Sequence, residues 1–168
     1  MLQSKQVETA YLALGSNLGD RLGYLRKALV CFTSDVRIQS VMYSRVYETK
    51  AIGIPNAPDF LNAVILVKTD YSAEKLLELV LSIEQQLGRV RSENVTSRTL
   101  DIDILLYGKV KSNLKDLTIP HPRMTKRAFV LLPLNDLDSD LEIEGRMITD
   151  WIKNCDTSLV KCTNFSLK

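Results

Sequence analysis

Apolar residues recur along this chain at two spacings, every second position and every third or fourth, and the two alternate. Ala10 to Leu14 is a short apolar run ending in Gly15-Ser-Asn-Leu-Gly-Asp20, after which Leu22, Leu25, Leu29 and Phe32 follow at helical spacing. This predicts strand, glycine-containing turn and helix, with Asp20 or Asn17 available as N-cap. Val36 to Tyr47 is rich in Val, Ile, Met and Tyr, and its alternation slips near Ser40-Val41, which predicts a strand with a bulge. Thr49 to Pro58 has the Gly, Pro and Asn content of a loop. Phe60 to Val67 predicts a strand apolar on both faces apart from Asn62. Ser72 then caps a second helix with Glu74 in its first turn, Leu76, Val80, Ile83 and Leu87 as its buried stripe, and Gly88 as its stop.

The strand within Arg98-Thr-Leu-Asp-Ile-Asp-Ile-Leu-Leu-Tyr107 alternates most clearly. Asp101 and Asp103 share one face, and Leu100, Ile102, Ile104 and Leu106 are expected on the other. Gly108 to Leu117 turns into a short strand, Phe129 to Leu134 is apolar and assigned to the core, and Glu142 to Asn154 predicts a turn and a short helix around Trp151. From Cys155 to Lys168 nothing is periodic, which predicts a loose end. The order β-α-β-β-α-β is the ferredoxin-like plan: an α+β fold with an antiparallel sheet and helices packed on its faces in αβα layers. One domain is expected over 1–155, with 156–168 as a C-terminal tail or linker.

Composition narrows the class without choosing a function. The chain has 168 residues, 45% hydrophobic and 25% charged, enough for an ordinary globule with a sizeable core. A net charge of +2 does not point to nucleic acid, and the central strands lack the stacking aromatics of RNA-binding sheets. Three scattered cysteines, without C-x-x-C pairing, argue against a zinc site and against a disulfide framework. Met1 to Thr9 carries no apolar signal core, and the apolar runs are too short to span a bilayer. A cytoplasmic protein without membrane partners is expected.

The acid pair is the first candidate for chemistry. Two strand residues rise about 6.6 Å, close enough for both carboxylates to reach one ion or a pair of ions. At an effective dielectric of about 20 two such charges repel by roughly 2–3 kcal/mol, which a cation or Arg98 would relieve. The competing reading is a strand with a solvated polar face. Arg89, Arg91 and Arg98 lie in the polar stretch just before the acids. Acids holding metal and guanidiniums holding phosphate oxygens would suit a polyphosphate, although surface arginine is the plainer reading. His121, the single histidine, lies between two prolines near Arg123 and Arg127, as a structural residue or an anion contact. Asn62 is read likewise as a satisfied core polar group or a ligand contact. The Gly15–Asp20 turn matches neither common glycine-rich nucleotide fingerprint.

Ala13-Leu-Gly-Ser-Asn-Leu18, Pro58-Asp-Phe-Leu-Asn62, Glu84 with Leu87-Gly-Arg-Val-Arg91, Arg98-Thr-Leu-Asp-Ile-Asp-Ile-Leu105, and Ile119-Pro-His-Pro-Arg-Met124 with Arg127 together resemble one family. It is the 6-hydroxymethyl-7,8-dihydropterin pyrophosphokinase family of folate biosynthesis, and the resemblance runs from about Thr9 to about Cys155. It implies transfer of pyrophosphate from ATP, as co-substrate, to the hydroxymethyl group of the pterin, with release of AMP. By matching position, Asp101 and Asp103 resemble ligands of two magnesium ions (Mg2+), and Asp101 also a contact to the pterin hydroxyl. Arg89, Arg91, Arg98, His121 and Arg127 match positions that hold the ATP phosphates, and Leu77, Glu84, Ile104, Leu117 and Thr118 those on the nucleoside side. The catalytic set implied is Asp101, Asp103, Arg89 and Arg98. Phe60 and Phe129 match an aromatic pair that sandwiches the pterin, Asn62 a hydrogen bond to its edge, and Thr49, Ala51, Ile52 and Gly53 the loop that reads it through the backbone.

Three positions depart from the family pattern: Asn94-Val-Thr-Ser97 replaces a basic residue, tryptophan and Gly-Pro in a loop one residue short, Leu81 replaces a polar residue, and Pro122 an aromatic. Small-molecule substrates are implied, acted on by a monomer or by part of a longer fused folate enzyme. Two other classes fit the residues alone: a ferredoxin-like nucleotide- or RNA-binding module without catalysis, and a Mg-dependent nucleotidyl transferase releasing pyrophosphate.

Overall fold

The computed structural model describes residues 6–51, 55–89 and 98–168. Ile52, Gly53, Arg91 and the altered loop before Arg98 lie outside the described residues. The first half of the chain runs β1 (Glu8–Ser16), α1 (Arg21–Ser34), β2 (Ile38–Tyr43), β3 (Tyr47–Thr49), β4 (Phe60–Thr69) and α2 (Ala73–Gln86). The second half runs β5 (Asp101–Tyr107), a hairpin of β6 (Ser112–Leu114) and β7 (Leu117–Ile119), α3 (Ala128–Leu137), a second hairpin of β8 (Glu142–Ile143) and β9 (Arg146–Met147), α4 (Ile148–Lys153) and β10 (Val160–Cys162).

The main sheet has the order β10-β3-β4-β1-β5, with β2 also pairing β4, and every pairing is antiparallel. Two helices pack on each face. Leu25, Ala28 and Phe32 of α1 and Leu76, Val80 and Ile83 of α2 join Leu12, Leu61, Ile65 and Ile102 in one core. Val130, Leu131 and Leu134 of α3 and Ile148 of α4 join Tyr11, Val64 and Leu105 in a second core on the opposite face. The αβα layering expected of the sequence is present, because β1, β4 and β5 carry apolar side chains on both faces. Among the described residues no helix is long and apolar enough to cross a membrane.

Local chemistry explains the element ends. Asp20 caps α1, its Oδ1 accepting from the Gly23 N–H at 3.0 Å, and Ser72 caps α2 by accepting from the Lys75 N–H at 3.3 Å. Asn17, the other candidate cap, is committed elsewhere. The slip near Ser40 is a register shift between β2 and β4.

Three expectations are corrected. Gly15 is not in a turn: β1 continues through Ser16 and pairs on both sides there, Gly15 opposite Asn62 and Asp101. Leu106 does not share a face with Ile104. A register shift between β1 and β5 at Tyr11/Leu12 displaces Leu105, so Leu105 and Leu106 both join the α3 side before Tyr107 returns to the other. The C-terminal segment is not loose. β10 pairs with β3, the Thr163 N–H donates to the Val46 carbonyl at 2.9 Å, and Leu167 is buried in the first core.

Candidate active site

The register of three neighbouring strands, β4, β1 and β5, builds a polar row on the α3 face. Asn62 on β4 stands opposite Gly15 on β1, which stands opposite Asp101 on β5. Phe60 and Asp103 lie two residues along on the same face, since side chains alternate. This row floors a cavity of about 480 Å³ roofed by α3 and the residues leading into it, with Phe60 and Phe129 in its lining beside Thr49, Asn62, Arg98, Asp101, Asp103 and Arg127. Gly15 keeps the floor low: a Cβ there would meet Asn62 Oδ1 at 3.4 Å and Phe60 Cδ1 at 3.9 Å. Asn62 is 6% exposed, and its Nδ2 has no hydrogen-bond partner among the described residues. A buried donor left unpaired costs about 1–3 kcal/mol, so a polar edge brought by a ligand is favoured there.

A second cavity, of about 200 Å³, lies at the open edge of β5, between α2 and the β6–β7 hairpin. Leu77, Ile104, Leu117, Thr118 and His121 line it, and Asp103 lines both cavities. The sheet positions this residue on its last strand, so that ligands on either side can meet at one carboxylate.

The two acids keep different company. Asp101 accepts from Arg98 Nη1 at 2.7 Å on Oδ2 and pairs with Arg89 Nη1 at 2.8 Å on Oδ1. Arg89 is in turn held by Glu84 Oε1, which also accepts from the Ile102 N–H at 2.8 Å. Among the described residues Asp103 has longer contacts, 3.7 Å to His121 Nε2 and 3.9 Å to Arg127 Nη1, and its side chain keeps 36% exposure. Burial in the cavity wall, and then the Asp101 charge, push the Asp103 carboxyl above its ordinary range. Burial pushes His121 down, which leaves it neutral at pH 7. Its Nδ1 accepts from the Arg123 N–H at 3.2 Å, so the imidazole proton sits on Nε2, facing Asp103. Arg127 also lies 5.6 Å over the Phe129 ring, spanning from acid to aromatic.

Of the residues singled out from sequence, Glu84 lines neither cavity. It is 2% exposed, burial raises its pKa, and it acts on the site through Arg89 and the β5 backbone. Arg89 likewise faces Asp101 and Glu84, and Ala51 lines neither cavity. Lys50, Lys126 and Gly15 in the first cavity, and Lys115 and Asp116 in the second, carry no periodic signal in the sequence. Only Gly15 had a signal of another kind, a glycine directly continuing an apolar run that reads as a strand. For a divalent ion, the chain offers two hard carboxylates on one face and no described cluster of three or more His, Cys, Asp or Glu. That suits magnesium, which takes few protein carboxylates and fills its remaining positions from phosphate and water.

Residues 11–139 match the family model of 7,8-dihydro-6-hydroxymethylpterin-pyrophosphokinase. The chain is 41% identical over 136 residues to the 2-amino-4-hydroxy-6-hydroxymethyldihydropteridine pyrophosphokinase of Bacillus subtilis, covering 81% of each chain. It is 40% identical over 155 residues to the Haemophilus influenzae protein of the same name, covering 91% of this chain and 97% of that one. Its fold is like the crystal structure of Plasmodium falciparum HPPK-DHPS, with a TM-score of 0.68 at 16% identity over 91% of this chain, which spans 46% of that longer protein. The chain belongs to the 7,8-dihydro-6-hydroxymethylpterin-pyrophosphokinase family.

Proposed function

We propose that Asp103 and Asp101 form the meeting point of two substrates, with the pterin in the cavity on the α3 face and the nucleoside of ATP in the cavity at the edge of β5. The observation that carries this assignment is that Asp103 lines both cavities. The enzyme transfers pyrophosphate from ATP to the hydroxymethyl group of the dihydropterin. The hydroxymethyl oxygen attacks the β-phosphorus, the bond from that phosphorus to the α,β-bridging oxygen breaks, AMP leaves with that oxygen, and the hydroxyl proton passes to solvent.

Phe60 and Phe129 offer apolar faces to a flat ring, and Asn62 presents an unpaired donor to its polar edge. Arg98, Arg127 and neutral His121 border the acids where the phosphates would lie, each with an N–H donor. Two Mg2+ ions held by Asp101 and Asp103 would supply charge neutralisation at the transferring phosphoryl group. Arg98 and Arg89 both pair with Asp101, and Arg98, which also lines the first cavity, offers its remaining N–H donors to phosphate oxygens. The protein's own contribution is then positioning and electrostatics rather than covalent chemistry. We read Arg91, Ile52 and Gly53 as completing the phosphate and pterin contacts on grounds of motif position alone. The same reading makes this a cytoplasmic enzyme of small-molecule substrates, monomeric or part of a longer fused folate enzyme, without nucleic acid.

Purified protein with ATP, magnesium and 6-hydroxymethyl-7,8-dihydropterin should release AMP only when the pterin is present. Release of pyrophosphate instead would identify a nucleotidyl transferase. Asp103→Ala should abolish turnover with the fold retained by circular dichroism; unchanged turnover would remove Asp103 from the reaction.

A further inference from the structure

The turn between β1 and α1 grips both halves of the site. Asn17, the residue after β1, is 1% exposed. Its Oδ1 accepts from the Arg98 N–H at 2.7 Å, and its own N–H donates to the Arg98 carbonyl at 3.0 Å. The Nδ2 of the same side chain donates to the Pro58 carbonyl at 3.3 Å. Arg21, which opens α1, donates to the Asp59 carbonyl at 2.6 Å and pairs with Glu48 of β3 at 2.8 Å. Pro58 and Asp59 lead directly into Phe60 and Asn62 on β4, and Arg98 leads into Asp101 and Asp103 on β5.

These leads are where a clamp matters. The hydrogen-bond ladder between β1 and its neighbours ends at Ser16↔Leu61 and Gly15↔Asp101. Beyond those pairs one main-chain bond, from the Asn17 N–H to the Arg98 carbonyl, still ties β1 to the β5 lead, while the described ties to the β4 lead come from the Asn17 and Arg21 side chains. One carboxamide accepts from the β5 lead and donates to the β4 lead, using both of its functions at once, which the isosteric carboxylate, an acceptor alone when ionised, does not reproduce.

We propose, on the assignment of the two cavities made above, that Asn17 is a positioning residue that couples the pterin half of the site to the phosphate half, with Arg21 securing the pterin half alone. Asn17 touches neither cavity. It sets the separation of the Phe60 and Asn62 pair from the acid pair, and a displacement of about 1 Å between reacting groups costs on the order of 100-fold in rate.

Three variants separate the two grips. Asn17→Asp keeps the acceptor for the Arg98 N–H and loses the donor to Pro58; Arg21→Met loses the tie to Asp59 and Glu48; Asn17→Ala loses the side-chain bonds to Arg98 and Pro58 together. Calorimetric titration of α,β-methylene ATP with magnesium reads the phosphate half, and titration of 6-hydroxymethyl-7,8-dihydropterin at saturating analogue reads the pterin half. Asn17→Asp and Arg21→Met should weaken the pterin by about tenfold or more while leaving the analogue within about twofold, and Asn17→Ala should weaken both. A purely structural asparagine predicts a lower melting temperature with both affinities of the folded protein at the wild-type level, and that result overturns the proposal. So does equal weakening of both ligands by Asn17→Asp. Arg21 is partly exposed and lies outside both cores, so its arm remains decisive even where an Asn17 variant fails to fold. Phe129→Ala serves as reference. If it leaves pterin binding intact, the cavity assignment itself fails; if it weakens the pterin while Asn17→Asp does not, the clamp fails and the assignment stands.

Discussion

Asp101 and Asp103 share a strand face, yet only Asp101 has an arginine within 3 Å of each oxygen. Asp103, with longer contacts and a raised pKa, is the carboxylate more open to a cation. Between the ordinary aspartate value of about 3.9 and its raised folded value, the folded protein holds a proton that the unfolded chain does not. Its contribution to stability therefore falls as pH rises through that window. Divalent-ion binding, which needs the ionised form, is lost as pH falls through the raised value. As pH is lowered, magnesium affinity should begin to fall at a pH above the range of an ordinary aspartate, and Asp103→Asn should remove that dependence with most of the affinity. Gly15 offers a second residue-level prediction. Its Cβ space is tight against Asn62 but not closed, so Gly15→Ala should raise the pterin KM a few-fold and Gly15→Val by about tenfold or more, while the KM for ATP stays near wild type. Equal effects on both substrates would place the obstruction outside the pterin cavity.

The elements that hold the site come from distant parts of the chain. On the α3 face Tyr11 of β1 donates to Asp138, just past the end of α3, at 3.0 Å. Burial and that carboxylate push the Tyr11 hydroxyl up to about 12. Tyr47 of β3 donates to Asp136 of α3, which also receives Arg45. These ties fix the roof that carries Phe129 over the floor that carries Phe60. β10 extends the sheet beyond β3, and Leu167 reaches the first core at 2% exposure. Leu167→Ala should lower stability by about 2–5 kcal/mol in urea unfolding, as for a core leucine rather than a free end. A change below about 0.5 kcal/mol would return the segment to the status of a tail. Element types were legible wherever a period was long, as in α2 with its stripe and cap. They were not legible in Phe129–Leu134, where an unbroken apolar run fits helix and strand alike. Nor were they legible after Cys155, where pairing uses backbone groups that leave no side-chain pattern.

At the scale of the whole molecule, two cavities flank one edge strand, and Asp103 lines both. Ligands should therefore respond separately to changes on either side. Phe129→Ala should weaken the pterin and largely spare an ATP analogue, whereas His121→Ala should weaken the analogue and largely spare the pterin at saturating analogue. Calorimetric titration of each ligand checks both, and a variant that lost both ligands equally would argue for one continuous site. The ferredoxin-like order of elements serves many functions, so the fold alone does not choose this one.

By itself, the order of residues determined the alternation that puts Asp101 and Asp103 on one face, the caps and stripes of α1 and α2, and the spaced motifs that mark the family. All of these are local, because strand and helix periods act over a few residues. Tertiary structure decided which arginine meets which acid, that Gly15 is a floor rather than a turn, that Leu105 is displaced so Leu106 changes face, and that Asn17 binds Pro58 and Arg98, 41 and 81 residues away. Register and packing between strands far apart in the chain set these contacts, and no local period records them.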